Sequence, residues 1–267
     1  MKEDLEPLVK RAQAGDRAAL NELVRLLSDD VYRLALRMTA NRADAEDAAQ
    51  EVMIKAVTHL GSFRGESSVR TWVYRIAVRH LLDRPKSRVE TFGLDFERFA
   101  ADLLDGLEPG ALDEDPAAAE EVKLGCTLAM LTCLDREHRV AYILGEVFDV
   151  PAAAAADIAG ISAPAYRQRL SRARRQLEAF TKAYCGVVHS DAPCRCDRRV
   201  KRAAQLGRID RARLELVHHP SASVLPHVRE MEALHATAAL FRAHPAYAAP
   251  ERLKELIAAG SLRILES

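Results

Sequence analysis

The chain has 267 residues and a formal net charge of zero, because 39 basic residues balance 39 acidic ones. A neutral chain has no whole-molecule attraction to nucleic acid, so any DNA contact must come from local basic faces. Charged residues interrupt the apolar stretches before the length that a bilayer requires, and the N-terminus has no apolar signal core, so we expect a cytoplasmic protein that makes no membrane contact. The sequence contains no P-loop and no H-E-x-x-H helix, which argues against an enzyme.

Apolar residues at helical spacing run through the first 88 residues, with no alternating strand pattern. Asp16 is placed to cap an early helix. The polar cluster Ser28-Asp29-Asp30 predicts a helix boundary, followed by another helix that ends near Asn41. We therefore expect residues 1–88 to form one all-helical domain.

Within this domain, the segment DAEDAAQEV from Asp44 to Val52 predicts a helix with an acidic first turn. Its apolar positions recur at helical spacing and predict a buried stripe. The outward side then carries Asp47, Gln50, Glu51 and Lys55.

The next segment, FRGESSVRTWVYRIA from Phe63 to Ala77, predicts a glycine turn and a basic aromatic helix. Its inner stripe consists of Val69, Trp72, Val73, Ile76 and Ala77. Arg70, Arg75 and Arg79 should then face water or a polyanion. An acidic helix face beside a basic one is typical of a protein with two different partners.

Both segments resemble region 2 of the extracytoplasmic-function (ECF) sigma factors, which are bacterial initiation factors of the sigma-70 family. In that family the first helix binds the clamp helices of RNA polymerase, and the next segment opens and reads the minus-ten promoter element. The resemblance implies that core RNA polymerase is contacted by Asp47, Gln50 and Glu51. It also implies that minus-ten DNA is bound by Arg64, Arg70, Trp72, Tyr74, Arg75 and Arg79. Family members usually carry Asn at the position of Arg79.

Residues 89–118 are rich in acidic side chains and are predicted to be a linker. One interpretation is a solvated acidic spacer. The family resemblance implies a second interpretation, in which the linker lies in the RNA-exit path of polymerase and its negative charge mimics that of an RNA transcript. Apolar residues such as Phe99 and Leu103 indicate that part of the linker packs on the protein.

Residues 119–182 predict a second helical domain that contains a helix-turn-helix. A short alanine-rich helix follows Pro151, Ala159-Gly160-Ile161 forms the turn, and Ser162 caps a helix that runs through Phe180. Basic and aromatic side chains are predicted on the exposed sides of the second helix.

This pattern resembles sigma region 4, whose recognition helix enters the major groove at the minus-thirty-five element. The resemblance implies DNA binding by Ala165, Tyr166, Arg167, Arg169, Arg172, Arg174 and Arg175. Arg172, Arg174 and Arg175 would bind phosphates, and the other four residues would lie near base edges. The sequence around Pro164 and Tyr166 departs from the commonest family pattern.

Residues 183–267 form a Cys/His-rich extension that is predicted to be helical in its later part. Three of the five cysteines of the chain lie here, in CGVVHSDAPCRC. Cys185, His189, Cys194 and Cys196 match the ligand count of a Cys3His zinc site, and the CxC pair also suits copper(I). A thiol redox pair and a packed turn with incidental cysteines are the alternatives.

The basic residues around these thiols should lower the thiol pKa and favour the thiolate. The other two cysteines, Cys126 and Cys133, are predicted to be core residues. Histidines follow the cysteine segment at positions 218, 219, 227, 235 and 244. Some sigma factors of this family carry a Cys-rich tail that senses metal, and the CxC and its position loosely resemble that tail.

The sequence as a whole predicts an all-α protein with two small helical domains, an acidic linker and a C-terminal extension. The predicted function is that of an alternative sigma factor, with core RNA polymerase and promoter DNA as partners and an anti-sigma factor as a further candidate. The protein is predicted to require no cofactor, and zinc or copper at the cysteine cluster, or a redox change there, is a candidate regulatory signal. The alternative is a free-standing helix-turn-helix regulator that senses metal or oxidant.

Overall fold

The computed structural model describes residues 5–105, 115–217 and 236–264. The described residues form helices and contain no β-strand; one isolated bridge pairs Cys185 with Cys194. The predicted all-α class is therefore confirmed. Across the same residues, no helix combines the length and the apolar character needed to cross a bilayer.

The helices are numbered in chain order. They are α1 (Glu6–Gln13), α2 (Arg17–Thr39), α3 (Arg42–Thr58), α4 (Val69–Asp83), α5 (Arg88–Thr91), α6 (Phe96–Leu104), α7 (Pro116–Thr132), α8 (Arg136–Tyr142), α9 (Ala152–Ile158), α10 (Ala163–Tyr184), α11 (Cys196–Gln205), α12 (Ala236–Arg242) and α13 (Glu251–Ile264). A 3-10 turn covers Leu60–Ser62, and a π-helical segment, Ile143–Val147, follows α8.

The described residues fall into two compact units. The first unit combines residues from 1–88, 151–166 and 248–267, and the second combines 89–150 with 167–247. The predicted helix-turn-helix is thus divided, because α9 belongs to the first unit and most of α10 to the second.

Side-chain caps define the helix starts of the first unit. Asp16 accepts hydrogen bonds from the N–H groups of Ala18 and Ala19 at 3.0 and 3.1 Å, as the sequence predicted. The N–H of Asp44 donates to Asn41 at 3.0 Å, and Ser68 caps α4. These caps fix where α2, α3 and α4 begin, and their apolar stripes then pack against one another.

The predicted helix boundary at Ser28-Asp29-Asp30 is wrong, because α2 runs through it from Arg17 to Thr39. The side chains of Ser28, Asp29 and Asp30 all bond to groups other than the N–H groups at the start of a helix. Ser28 donates to the carbonyl of Val24 at 2.6 Å, and Asp30 accepts from Arg33 and Arg70. Asp29 lies 2.9 Å from the Lys254 Nζ atom of α13. Tertiary partners thus satisfy groups that would otherwise compete with the helix backbone.

A buried arginine anchors the second unit. The side chain of Arg139 on α8 is 2% exposed and donates to the carbonyls of Leu131 and Leu134, each at 2.9 Å. It also pairs with the Glu90 carboxylate at 2.8 Å, which Arg136 contacts at 2.7 Å. One guanidinium therefore joins α5, the end of α7 and the start of α8.

The segment predicted as a linker contains α6. Phe99 of α6 is buried and stacks on Phe180 of α10, with ring centroids 5.5 Å apart. The expectation that part of this segment packs on the protein is confirmed at Phe99 and Leu103, whereas Phe92 is 79% exposed.

Candidate polymerase- and promoter-binding surfaces

The acidic face of α3 is open to solvent in the first unit. Asp47 and Glu51 are exposed, and Gln50 is half-buried. The Glu51 carboxylate lies 3.4 Å from His80 Nε2 and 3.7 Å from the Arg84 guanidinium, both at the end of α4. Lys55 Nζ approaches His80 Nδ1 at 2.8 Å.

Burial lowers the pKa of His80 below its ordinary value, and the Lys55 ammonium lowers it further. His80 is therefore neutral near pH 7. Glu51 lies at an exposed position beside His80 and Arg84, and this end of α3 presents the carboxylates of Asp47 and Glu51 to solvent.

The basic helix α4 presents a mixed surface. Arg64 and Arg79 are exposed, and Trp72 is half-buried with its ring centroid 5.5 Å from that of Phe63. Burial raises the pKa of Tyr74, so its phenol stays protonated. Exposed arginines and aromatic rings thus occur in the same segment, a combination that suits the binding of unstacked bases.

Two arginines of α4 are engaged within the first unit. Arg75 lies 3.6 Å from the Asp157 carboxylate of α9 and also bonds to Ser67. The prediction that Arg70 faces solvent is wrong: its side chain is 25% exposed and pairs with Asp30 of α2. Asp30, which the sequence predicted to be part of a helix-capping cluster, instead forms an ion pair with Arg70.

Helix α10 carries a group of exposed cations in the second unit. Arg167, Arg172, Arg174 and Arg175 are exposed. Arg169 is half-buried and lies 2.7 Å from Glu137, and Arg174 Nε donates to Glu146 at 2.6 Å. Arg172 and Arg175 line an open groove with His138 and Gln176, with a volume of about 350 Å³.

Two residues at the start of α10 are placed differently from the prediction. Tyr166 was expected on the exposed side but is 0% exposed. Its position, four residues before Leu170, puts it on the same apolar face of α10 as Leu170 and Ala173, which are also buried. Ala165 is half-buried. The base-edge candidates at the start of α10 are thereby reduced to Ala165, Arg167 and Arg169.

Arginines of the extension neutralise part of the acidic segment. Asp102 of α6 accepts from Arg208 at 2.6 Å and lies 3.4 Å from Arg199 of α11. Asp105 accepts from Arg202 Nε at 3.1 Å. Within the described residues, these carboxylates serve as internal ion-pair partners for the extension.

The cysteine segment leads from α10 into α11. Cys194 is buried, and Cys185, His189 and Cys196 are half-buried. The N–H of His189 donates to the carbonyl of Cys185 at 2.9 Å, which folds the segment into a tight turn. Among the described residues, no group of three or more His, Cys, Asp or Glu side chains is arranged to hold a metal ion.

The prediction that nearby cations lower the thiol pKa is wrong for two of the three thiols. Burial raises the pKa of Cys194 to about 11 and that of Cys196 to about 12. Desolvation disfavours the thiolate more than the neighbouring cations favour it. His218, His219, His227 and His235 lie outside the described residues.

Sequence reasoning did not single out Glu121 on α7. Its carboxylate is buried and accepts hydrogen bonds from three backbone N–H groups of the extension, those of Glu215, Leu216 and Val217. Cys126 lies within α7 and Cys133 caps its C-terminus, and their apolar neighbours in the sequence gave both the same prediction of a core residue.

Comparisons with known proteins agree with this architecture. The model of sigma-70 region 2 matches residues 23–90, which include α3 and α4. The chain is 28% identical to the ECF RNA polymerase sigma factor SigW of Bacillus subtilis over 173 aligned residues. The aligned region covers 63% of this chain and 92% of that protein. It is 30% identical to the ECF RNA polymerase sigma factor SigM of Mycobacterium tuberculosis over 167 aligned residues. The aligned region covers 61% of this chain and 78% of that protein.

A solved sigma factor, RpoE from Bartonella quintana in complex with the anti-sigma factor NepR, shares 22% identity at a TM-score of 0.41. That similarity covers 60% of this chain and 95% of that chain.

The chain belongs to the ECF family of RNA polymerase sigma factors. It is an alternative sigma factor of transcription initiation, and the prediction of a non-enzymatic protein is confirmed by this membership.

Proposed function

We propose that this protein binds core RNA polymerase in the cytoplasm and directs it to a particular set of promoters. The observation that carries the proposal is the exposed acidic face of α3 beside the aromatic and basic face of α4, within the segment that the sigma-70 region 2 model matches. Asp47, Gln50 and Glu51 would then bind the polymerase clamp.

The α4 side of the first unit would capture the minus-ten element. Trp72, supported by Phe63, would offer a ring face to an unstacked base, and stacking contributes roughly 1 to 3 kcal/mol per base. The half-buried Tyr74 would lie near that base. Arg64 and Arg79 would bind the backbone next to it. Arg75 would join them after leaving Asp157, and Arg70 would act from its ion pair with Asp30.

Helix α10 would bind the minus-thirty-five element. Its exposed Arg167, Arg172 and Arg175 would contact phosphates and base edges. Arg169 and Arg174 already form ion pairs with Glu137 and Glu146. Neither DNA contact needs high affinity alone, because polymerase tethers both and raises their effective concentration.

Reconstituted transcription tests the proposal. Core polymerase with this protein should initiate from a subset of genomic promoter fragments, and Asp47→Arg combined with Gln50→Ala should abolish both initiation and pull-down of core polymerase. Lys55→Ala, on the same helix, serves as the matched control. Selective promoter binding by the chain alone, with no dependence on core polymerase, would favour a free-standing regulator.

The extension would adjust this activity in response to metal or oxidant. Cys185, Cys194 and Cys196 lie together at its start, and zinc or copper(I) are the ions that such thiols select. Cys194→Ser with Cys196→Ser should change the response of transcription to zinc, copper or peroxide while core-polymerase binding persists. Unchanged transcription under all three would leave the extension a structural role.

A further inference from the structure

The last helix of the extension, α13, belongs to the first unit and packs on both α2 and α3. Two of its apolar side chains, Leu253 and Ile257, are 4% and 0% exposed and lie one helical turn apart. This stripe is the side of α13 that is turned toward the protein. The extension therefore supplies a helix to the same unit that contains the sigma-70 region 2 match.

One carboxylate of α2 fixes the position of α13. Asp29 accepts the N–H of Ala249 at 2.8 Å and lies 2.9 Å from the Lys254 Nζ atom. The Lys254 side chain is 10% exposed, and burial of its ammonium would be costly without this partner. One turn earlier on α2, Arg25 lies 3.2 Å from Glu251. Opposite charges on the two helices thus favour one register of docking.

Helical geometry then shows which flank of α13 is nearer to α3. A helix turns about 100° per residue, so Lys254 lies about 80° to one side of the stripe formed by Leu253 and Ile257, and Leu256 lies about 80° to the other. Lys254 contacts α2 through Asp29. Because α13 packs on both helices, the flank that carries Leu256 is the one nearer to α3.

The same geometry identifies the flank of α3 that borders α13. Glu51 and Lys55 of α3 contact His80 of α4, so α4 lies along their flank. Gln50 lies on the other flank, and Asp47 projects outward between the two. Of the helices described as packed on α3, α2 covers its apolar stripe and α4 its Lys55 flank, which leaves the Gln50 flank for α13. The half-burial of Gln50 agrees with a neighbour on that side.

The docked helix leaves the acidic face of α3 open and adds an apolar side chain next to it. Asp47 and Glu51 are exposed although α13 is in place, so α13 does not cover their carboxylates. Leu256 is 49% exposed, which is unusual for a large apolar side chain among the described residues. Carboxylates beside an exposed leucine suit a partner surface that offers both cations and an apolar contact.

We propose that α13 extends the polymerase-binding face of α3, with Leu256 next to Gln50 as an apolar contact for core RNA polymerase. Asp29 is a positioning residue, because it holds α13 in the register that places Leu256 there. This inference rests on the proposed function, in which the α3 face binds polymerase. The extension then contributes directly to polymerase binding, in addition to its proposed response to metal or oxidant.

Binding of the full-length chain to core polymerase, measured by fluorescence anisotropy, tests the contact. Leu256→Asp should raise the Kd roughly tenfold, because a leucine that becomes buried in the complex is replaced by a charge. Leu206→Asp makes the same change at a 42% exposed leucine of the second unit and should leave the Kd unchanged. An unchanged Kd for Leu256→Asp, or an equal loss for Leu206→Asp, would overturn the proposal.

Release of α13 tests its positioning role. Lys254→Glu places a carboxylate against Asp29, and Ile257→Asp removes a buried apolar contact, so both should free α13 and weaken polymerase binding, whereas Lys254→Arg should retain it. In the Ile257→Asp background, Leu256→Asp should cause no further loss, because the two changes act through the same docked helix. Tighter polymerase binding by either release variant would show that α13 covers the binding face, which contradicts the proposal.

Hydrogen exchange of the unmutated chain gives a readout that does not depend on folding of a variant. When core polymerase binds, amide exchange should slow in both α3 and α13. Faster exchange in α13 on binding would mean that polymerase displaces the helix and would overturn the proposal. Failure of the proposed function is recognised separately, because Asp47→Arg with Gln50→Ala would then leave polymerase binding intact.

Discussion

The two arginine-rich helices, α4 and α10, use their cations in different ways. In α4, Asp30 holds Arg70 and Asp157 lies near Arg75. In α10, Arg167, Arg172 and Arg175 remain exposed. The number of arginines on a helix is therefore a poor guide to DNA affinity, because a cation that already has a carboxylate partner must give it up before it binds a phosphate.

Arg139 is the extreme case of an arginine that serves the fold, and its removal should have the largest effect. Arg139→Ala leaves Glu90 buried beside a single remaining cation and removes the donors at the end of α7. The free energy of unfolding should fall by about 3 to 5 kcal/mol, measured by urea denaturation. Arg136→Ala, whose side chain is 21% exposed, is the matched control and should cost clearly less. Equal losses would contradict the structural assignment.

Removing exposed cations of α10 should instead change DNA binding and spare stability. For polymerase complexes on a promoter fragment, Arg172→Ala with Arg175→Ala should reduce the slope of log affinity against log salt by up to about 1.8, or about 0.9 per phosphate contact. Arg174→Ala, whose guanidinium already pairs with Glu146, should change the slope less. A larger change for Arg174→Ala would reverse this distinction.

The pair of Arg75 and Asp157 offers a smaller test on α4. Asp157→Asn removes the competing carboxylate and should tighten binding of a minus-ten single strand to the polymerase complex by up to about fivefold. Binding would be measured by fluorescence anisotropy. In the background Arg75→Ala, the same change should have no effect, which a double-mutant cycle would reveal.

The smallest expected effect concerns pH at the end of α4. Because burial lowers the pKa of His80 below its ordinary 6.5, the unfolded chain binds a proton more readily than the folded one. Stability should therefore decrease as pH falls below about 6.5. Urea denaturation at about pH 7.5 and about pH 5.5 measures this, and His80→Gln should flatten the dependence. An unchanged slope in His80→Gln would show that other groups account for it.

Local signals in the sequence were reliable where one residue decides the backbone. Asp16 caps α2, and Gly160 turns the chain after α9 with a φ of 65°. The residues of the α3 stripe are buried as their spacing predicts. Each of these features depends on neighbours within a few positions.

The errors arose where distant residues supply the partner. Ser28-Asp29-Asp30 has the composition of a helix start, but Lys254 and Arg70 satisfy its carboxylates and α2 continues. Tyr166 stands among arginines in sequence, yet it belongs to the apolar stripe of α10. Cations near the cysteines suggested reactive thiols, but burial raises the pKa of Cys194 and Cys196.

The sequence alone determined the helical class, the acidic and basic motifs of α3 and α4, and the helix-turn-helix, because periodicity, caps and glycine turns act over short distances. The tertiary structure decided which arginines are held in ion pairs, which arginines stay exposed, and that burial raises the pKa of Cys194 and Cys196. Those outcomes depend on burial and on partners tens to hundreds of residues away, for which a single sequence carries no spacing rule.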